Sequence, residues 1–355
     1  MDSQEEHLPS HESINELDKM EIYLQVFHHF LPQAMDFPNL AVPYTLFLRS
    51  LREKLHPAGV RDIQAVNLPS GLTFHVDVGD RLGCDFYYGH YQEYFDAQLF
   101  LGLLDANSIV LDVGANFGYY AVSSATKLTP SGCVHAFEPN PDAYQLLQQN
   151  VEVNHLQQLV SCHDLCIGAE DGETDFYITQ ESAFSGMDDT KRSVLREKLR
   201  IPVRSLDSIL PELGLSQIDA IKIDVEGYEF AVLNGAMETI QRSPNLVIMM
   251  EVSAKNLNEQ RREALMSSLV NLYNQNLRGW IVDSNPRVLK SIPTPEAALT
   301  LGSATSANLF LMVSGSEREH QLNKVYHNLQ TQEDSNQLKE PDIFSIKSLS
   351  HRGLG

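Results

Sequence analysis

No hydrophobic run in this 355-residue chain approaches the roughly 18 apolar residues that a membrane helix needs; the longest aliphatic stretches are short ones such as Leu246–Met250. Basic residues are also scarce. Lys and Arg number 26 against 47 Asp and Glu, a formal charge of −21. Binding a phosphate backbone requires a basic footprint, so nucleic acid is not an expected partner, and an anionic membrane surface is equally unsuited. The four cysteines, Cys84, Cys133, Cys162 and Cys166, form no Cys-x-x-Cys pair and no disulfide framework. They read as reduced thiols of a cytosolic protein. The start, MDSQEEHLPSHESINELDK, is acidic and polar, unlike a secretory signal with its basic start and apolar stretch. These features predict a cytoplasmic location.

What the chain does have is a strand–helix rhythm. Residues 1–20 are expected to form a disordered acidic tail, and residues 316–355, rich in Gln, Asn, Ser and Glu, a polar and largely disordered one. Residues 21–105 read as a cap: a helical stretch over 21–60, then IQAVNL and LTFHVDV alternating around Pro69-Ser70-Gly71 as a hairpin, then a helix from Glu93 to Leu104. From 106 to 315, aliphatic strands alternate with helices. SIVLDVGA, CVHAFEP, LVSCHDLCIG, TDFYIT, IDAIKIDVE, LVIMMEV, RGWIVDS and NLFLMVS read as strands. FGYYAVSSATKL, PDAYQLLQQNVEVN and YEFAVLNGAMETI read as helices, and 180–200 as a loop-rich insertion. Continuous aliphatic strands separated by helices predict an α/β fold with a mainly parallel sheet covered on both faces.

Chemistry is expected where strands end. Asp112-Val113-Gly114-Ala115-Asn116-Phe117-Gly118 follows a hydrophobic strand and opens a helix. In open α/β sheets ligands bind at such carboxyl ends, near the switch point of strand order. Gly114 permits the sharp turn and Gly118 a close helix approach. A dinucleotide fingerprint would place glycines at 116 and 119, where Asn116 and Tyr119 stand. That departure disfavours a nicotinamide-dependent oxidoreductase and suits a ligand that ends in an amino acid, with Asp112 facing an ammonium and the Asn116 amide a carboxylate. Glu138, closing the next strand in Phe137-Glu138-Pro139-Asn140-Pro141, either accepts both hydroxyls of a ribose or serves the helix start beside it. Asp164 either receives an adenine amino group or is an ordinary loop acid.

The segments VLDVGANFGYY, VHAFEPNP, SLDSIL and IDAIKIDVEGYEFAVLNGA, in that order over roughly residues 90–315, resemble the FkbM-type family of S-adenosylmethionine-dependent methyltransferases. The resemblance implies a class I, Rossmann-like methyltransferase fold, with a seven-stranded, mostly parallel sheet and one antiparallel strand near the end. The activity it implies is O-methylation of hydroxyls on sugars, polyketides or lipid-like products. Asp112, Gly114 and Asn116 would then hold the methionine part of the cofactor, and Glu138 its ribose. Residues 1–90 and the C-terminal tail carry no family motif.

The second signature is Lys222-Ile223-Asp224-Val225-Glu226-Gly227-Tyr228-Glu229. Strand alternation would turn Lys222, Asp224 and Glu226 to one side, and strands covered on both faces rarely bury three charges without a purpose. Asp224 reads either as a base or orienter for an acceptor hydroxyl, or as part of a charge network in which Lys222 pairs with Glu226 or Glu251. Glu226, Glu251 and His90 are further candidates for handling the proton. Arg192, with Lys191 in the 180–200 insertion, either meets the acceptor or caps a solvated turn. Asp224 with Glu226 or Glu251 offers hard oxygens, yet nothing else completes a coordination sphere, and the expectation is no metal. Cys162-His163 and Cys166 lack a fourth zinc ligand and read as core. The expected partner is a small hydroxylated acceptor. The oligomeric state stays open, a homodimer being one option. The rival reading from another class is a methyltransferase-fold scaffold without activity.

Overall fold

A computed structural model describes residues 50, 53–57, 59–87, 93–189, 191–253, 256–284, 287–301 and 307–334. The acidic tail over 1–20, most of the expected helical stretch over 21–60, His90 and the residues after 334 lie outside these.

The cap begins with strands β1 (Ile63–Asn67) and β2 (Thr73–Asp77), paired antiparallel from Ile63↔Asp77 to Asn67↔Thr73, as their alternation predicts. Helices α1 (Arg81–Tyr87) and α2 (Tyr94–Gly102) follow. The body then runs β3 (Ile109–Val113), α3 (Tyr119–Ala125), β4 (Cys133–Phe137), α4 (Pro141–Val153), β5 (Val160–His163), β6 (Cys166–Ile167), β7 (Gly172–Thr179), β8 (Leu195–Arg204), α5 (Leu206–Glu212) and β9 (Ala220–Ile223). It continues through α6 (Glu229–Asn234), α7 (Met237–Arg242), β10 (Val247–Val252), α8 (Glu259–Asn274), β11 (Leu277–Ser284), β12 (Arg287–Ile292), α9 (Pro295–Leu301), β13 (Ala307–Val313) and α10 (Glu317–Asp334).

The main sheet has the order β12-β11-β13-β10-β9-β3-β4-β5. Strands β5, β4, β3, β9 and β10 run parallel, while β13 lies antiparallel between β10 and β11. Two parallel runs wound outward from β3, with β13 reversed near the end, are the class I methyltransferase arrangement, to which β12 adds a second reversed strand at the edge. Alternate strand residues point to two different cores. Val110, Ala220, Val247, Met249 and Phe310 join the β1–β2 hairpin and helices α1, α2, α3, α4 and α10. Leu111, Val113, Ile221, Ile223, Ile248 and Met250 join α5, α6, α7, α8 and α9. This double burial is why the strands read as unbroken aliphatic runs.

Several local expectations change. An eighth strand, β12, extends the sheet as a hairpin with β11, in register from Gly279↔Ile292 to Ser284↔Arg287. Prolines 286, 293 and 295 on either side of it gave the segment a loop signature. The stretch LVSCHDLCIG is two strands: β5 ends the main sheet, and β6 leaves it after the exposed Asp164 to join β8 and β7 in a separate three-stranded sheet. The end of the 180–200 insertion, from Leu195, is thus the start of the long strand β8, paired antiparallel with β7. The helix expected over YEFAVLNGAMETI is broken into α6 and α7 at Gly235, where a Cβ would overlap the carbonyl oxygen of Gly168. The polar segment after 315 begins with the 18-residue helix α10. Its Leu322, Tyr326 and Leu329 are buried, and Tyr326 meets Phe95 of α2 edge to face. Three apolar residues at spacings of four and three suffice to bury one stripe of an otherwise polar helix.

Candidate active site

The carboxyl ends of β3, β4, β9 and β10 open into a cavity of about 1010 Å³, roofed by the segment 182–187 and by the start of α2. It is large enough for a nucleoside-sized ligand together with a second molecule. Its two ends differ in chemistry. Near β4 and β6 the walls are Phe137, Leu165, Ile167 and Phe176, with Glu138 between them and Gly114. Near β9, β10 and β11 they carry Glu93, Asp96, Asp224, Glu226, Glu251 and Asp283, against Lys222 and Arg192.

The turn after β3 is built for close approach. Gly114 has φ 77°, and a Cβ there would overlap the carbonyl oxygen of Asp224, so the two strand ends nearly touch. The backbone amides of Gly114 and Ala115 both donate to the Phe137 carbonyl, at 3.0 Å each. Asn116 follows with φ 49°, in the left-handed region that asparagine tolerates better than most residues. Its Oδ1 accepts from the Phe117 amide (2.8 Å), and its Nδ2 donates to Ser182 Oγ (3.0 Å), tying the cavity floor to its roof. Gly118, φ 89°, packs on Leu147 rather than on the cavity.

Glu138 is buried yet faces the cavity. One carboxylate oxygen accepts from the Asn116 amide and the other from the Asn140 amide, each at 2.8 Å. The helix start that rivalled the ribose role is served by Asn140, whose side chain accepts from the Asp142 amide. Burial pushes the Glu138 pKa up to about 7, against the pull of the Asn140 and Asn116 amides and of Lys222. A carboxylate has about four acceptor sites, so two remain for a diol.

Asp112 and Lys222 are register partners on adjacent strands β3 and β9, both under α3. Asp112 is 1% exposed, and its oxygens lack a hydrogen-bond partner within 3.5 Å, with Lys222 Nζ 4.0 Å away. Its carboxyl is raised to about 6, by burial and despite Lys222. The side chain sits beneath the cavity floor and does not line the cavity. Lys222 Nζ donates to the Gly114 carbonyl (3.1 Å) and to Asp224 Oδ2 (3.2 Å), and lies 5.2 Å from the Tyr120 ring centre. Burial would lower its pKa, but Asp224, Asp112 and Glu93 hold it above the ordinary value.

Strand β9 stops at Ile223, so alternation does not extend to Glu226 as expected. A tight turn replaces it. Glu226 has φ 54°, and the buried Glu229 carboxylate accepts from the Val225 (3.3 Å) and Gly227 (3.1 Å) amides. The turn still delivers Asp224 and Glu226 to the cavity. Glu226 pairs with Arg192, 2.8 Å away, rather than with Lys222. Arg192 also bonds Asn256 and covers the Phe184 ring at 4.1 Å. Glu251 accepts from Asn256 Nδ2 (3.3 Å) and has no ion pair to Lys222. Burial, then Asp224, raise Glu226 to about 8, and burial with Asp224, Glu226, Glu229 and Glu93 raises Glu251 well above the usual range. Asp224, Glu226 and Glu251 present oxygens within 4.8 Å of one another, a spacing a divalent cation could bridge. Two of the three already face cations, Lys222 and Arg192, and no metal is assigned.

The structure therefore gathers Gly114, Asn116, Glu138, Lys222, Asp224, Glu226, Glu251 and Arg192 around one cavity. Asp112 supports it from below, and Asp164 is exposed and off its walls. His90 lies outside the described residues. Sequence reasoning missed Glu93, which carries no motif and comes over the strand ends only through the fold.

Most of the cavity's residues lie within a recognisable domain. Residues 112–281 match the Methyltransferase FkbM domain. The chain is 26% identical over 181 residues to the hexuronic acid methyltransferase AglP of Haloferax volcanii, covering 50% of this chain and 71% of that protein. It is 28% identical over 206 residues to the 31-O-demethyl-FK506 methyltransferase FkbM of Streptomyces tacrolimicus, covering 49% and 75%. It is also 31% identical over 207 residues to the AMB antimetabolite synthetase AmbE of Pseudomonas aeruginosa, of which it spans 9%. Among solved structures, the methyltransferase FkbM of Methylobacillus flagellatus is 18% identical, with a TM-score of 0.39 over 65% of this chain and 51% of that one. Among the described residues no helix is long and apolar enough to cross a membrane. Over residues 112–281, just under half of the chain, the protein is similar to methyltransferase domains of the FkbM family.

Proposed function

We propose that the protein is a cytosolic enzyme that uses S-adenosylmethionine to O-methylate a hydroxyl of a small or medium-sized metabolite, of the sugar, polyketide or lipid-like kind. The observation that carries this reading is the two-ended cavity: an apolar slot beside the doubly amide-bonded Glu138, continuous with an acidic chamber over β9 and β10. Leu165, Ile167, Phe137 and Phe176 suit a flat heterocycle, Glu138 a ribose diol, and the tight approach at Gly114 an amino-acid tail. Asp112 acts at one remove, by fixing Lys222 beneath the turn. The cofactor supplies a methyl group on a sulfonium, which leaves as a neutral thioether, so alignment carries most of the acceleration. Asp224 and Glu226 orient the acceptor at the strand end. Carboxylates outnumber cations in the chamber, which favours neutral or amine-bearing acceptors over acidic ones, because a second anion would enter against like charge.

Isothermal titration with S-adenosylmethionine and S-adenosylhomocysteine, for the native chain and Glu138→Ala, tests the reading. Micromolar binding weakened tenfold or more by Glu138→Ala, about 1.4 kcal/mol, is expected. Absence of heat and of any thermal shift with both ligands would sink the enzyme reading in favour of a scaffold.

A further inference from the structure

We propose that Glu93, contributed by the cap outside the family-matched residues 112–281, is the base that takes the proton from the acceptor hydroxyl. The inference rests on the methyl-transfer reading above and assigns the proton within it.

Glu93 occupies the N-cap of α2, yet its side chain makes no capping bond to that helix. It turns into the cavity instead, where Oε2 accepts from the Tyr120 hydroxyl at 3.1 Å. Its rivals are engaged. Asp224 is ion-paired to Lys222 at 3.2 Å and Glu226 to Arg192 at 2.8 Å, so protonating either one gives up a contact ion pair. Glu251 holds the Asn256 amide among other acids. Glu93 is held by a neutral phenol, which positions the carboxylate oxygen toward the cavity.

Among the described residues, the charged and titratable neighbours of Glu93 are Asp224 and Lys222 from β9 and its end, Asp96 from α2, Tyr119 and Tyr120 from α3, and Glu251 from β10. Burial first, then Asp224, place its pKa at about 7, Lys222 and Tyr120 pulling the other way. That value suits proton transfer at neutral pH. In the step, the acceptor O–H bond breaks and its proton passes to a Glu93 oxygen. The acceptor oxygen bonds the methyl carbon, and the electron pair of the carbon–sulfur bond stays on sulfur. Glu93 then releases its proton to water.

The test has two arms on the full chain. In the first, carbon-13 carboxyl-labelled glutamate is followed by NMR through a pH titration of the chain saturated with S-adenosylhomocysteine. Of the resonances that titrate near neutral pH, where Glu138, Glu226 and Glu229 also fall, one is expected to vanish in Glu93→Gln and to move to higher pH in Tyr120→Phe. A Glu93 midpoint at the ordinary value of about 4.3 overturns the proposal without an acceptor. In the second arm, methyl transfer from S-adenosylmethionine is measured with methyl β-glucoside and its 2-amino-2-deoxy analogue. Glu93→Gln should lower kcat on the order of 10²-fold or more, abolish the rise of rate through pH 7, and leave cofactor affinity within twofold. Glu93→Asp should recover part of the rate. A Glu93→Gln rate within threefold of native, or a rate loss with the pH rise intact, refutes the assignment while the methyltransferase reading stands. Loss of cofactor binding in the native chain is the separate failure of that reading. If neither glucoside is turned over, the carboxyl titration alone decides.

Discussion

Lowering the pH from 8 to 5.5 should stabilise the cofactor-free protein, opposite to the habit of proteins whose carboxylates are salt-bridged. Glu138 and Glu229, both buried, have folded pKa values of about 7 against an ordinary 4.5, and Asp112 about 6 against 3.8. In each case burial is the leading cause. The folded state therefore binds protons that the unfolded chain has already released, and stability falls as pH rises through the folded pKa. Between pH 5.5 and 8 each of the two glutamates accounts for about 2 kcal/mol and Asp112 for about 1 kcal/mol. His135 opposes them. Burial beside His163 lowers its pKa to about 4, so acidification charges the unfolded chain first and takes back about 1.4 kcal/mol. These four groups together give about 3.5 kcal/mol at pH 5.5, a rise in melting temperature on the order of 5 °C for a domain of this size, and Glu93 and Glu226, held at about 7 and about 8, add in the same direction. Differential scanning calorimetry at both pH values measures it, and Glu138→Gln should remove about 2 kcal/mol of the pH difference. A melting temperature that is flat or falls on acidification refutes the reasoning.

Other expectations concern single sites. Gly114→Ala places a Cβ against the Asp224 carbonyl at φ 77°, and should cost about 2 kcal/mol or more in stability and at least tenfold in cofactor affinity, read by denaturant titration and calorimetry. Arg318 is 2% exposed; it bonds the carbonyls of Leu103 and Asn245 and pairs with Asp105 at 2.9 Å. Arg318→Ala should destabilise by about 3 kcal/mol, seen as a lower urea midpoint.

The sheet was readable because its strands are covered on both sides, so burial itself writes a continuous apolar run at Ile109–Leu111 and at Val247–Met250. Boundaries that depend on contacts between distant segments were not. The break at Gly235 comes from the Gly168 carbonyl, and the end of β9 from a turn that Glu229 ties, neither visible in local pattern. The site divides the same way. Gly114, Asn116, Glu138 and Asp224 follow strands closely and carry local signatures. The Glu226–Arg192 pairing spans 34 residues, and Glu93 reaches Tyr120 across 27, through a cap with no motif. The register partnership of Asp112 with Lys222 needed the strand order, which adjacency in sequence does not supply.

Helix α10 gives the molecule a different kind of boundary. It lies against α2, the element whose first turn bears Glu93, and Arg318 clamps it to Leu103, just beyond the far end of α2. The family match ends at residue 281, some distance before this helix begins. A shortened chain ending near Val313 would keep every strand of the sheet but strip the backing from Phe95 and release the stretch that carries Glu93. Expression fragments trimmed to the matched segment would lose more, because β13 lies inside the sheet between β10 and β11. Fusion partners and immobilisation handles belong beyond Asp334 rather than in place of α10.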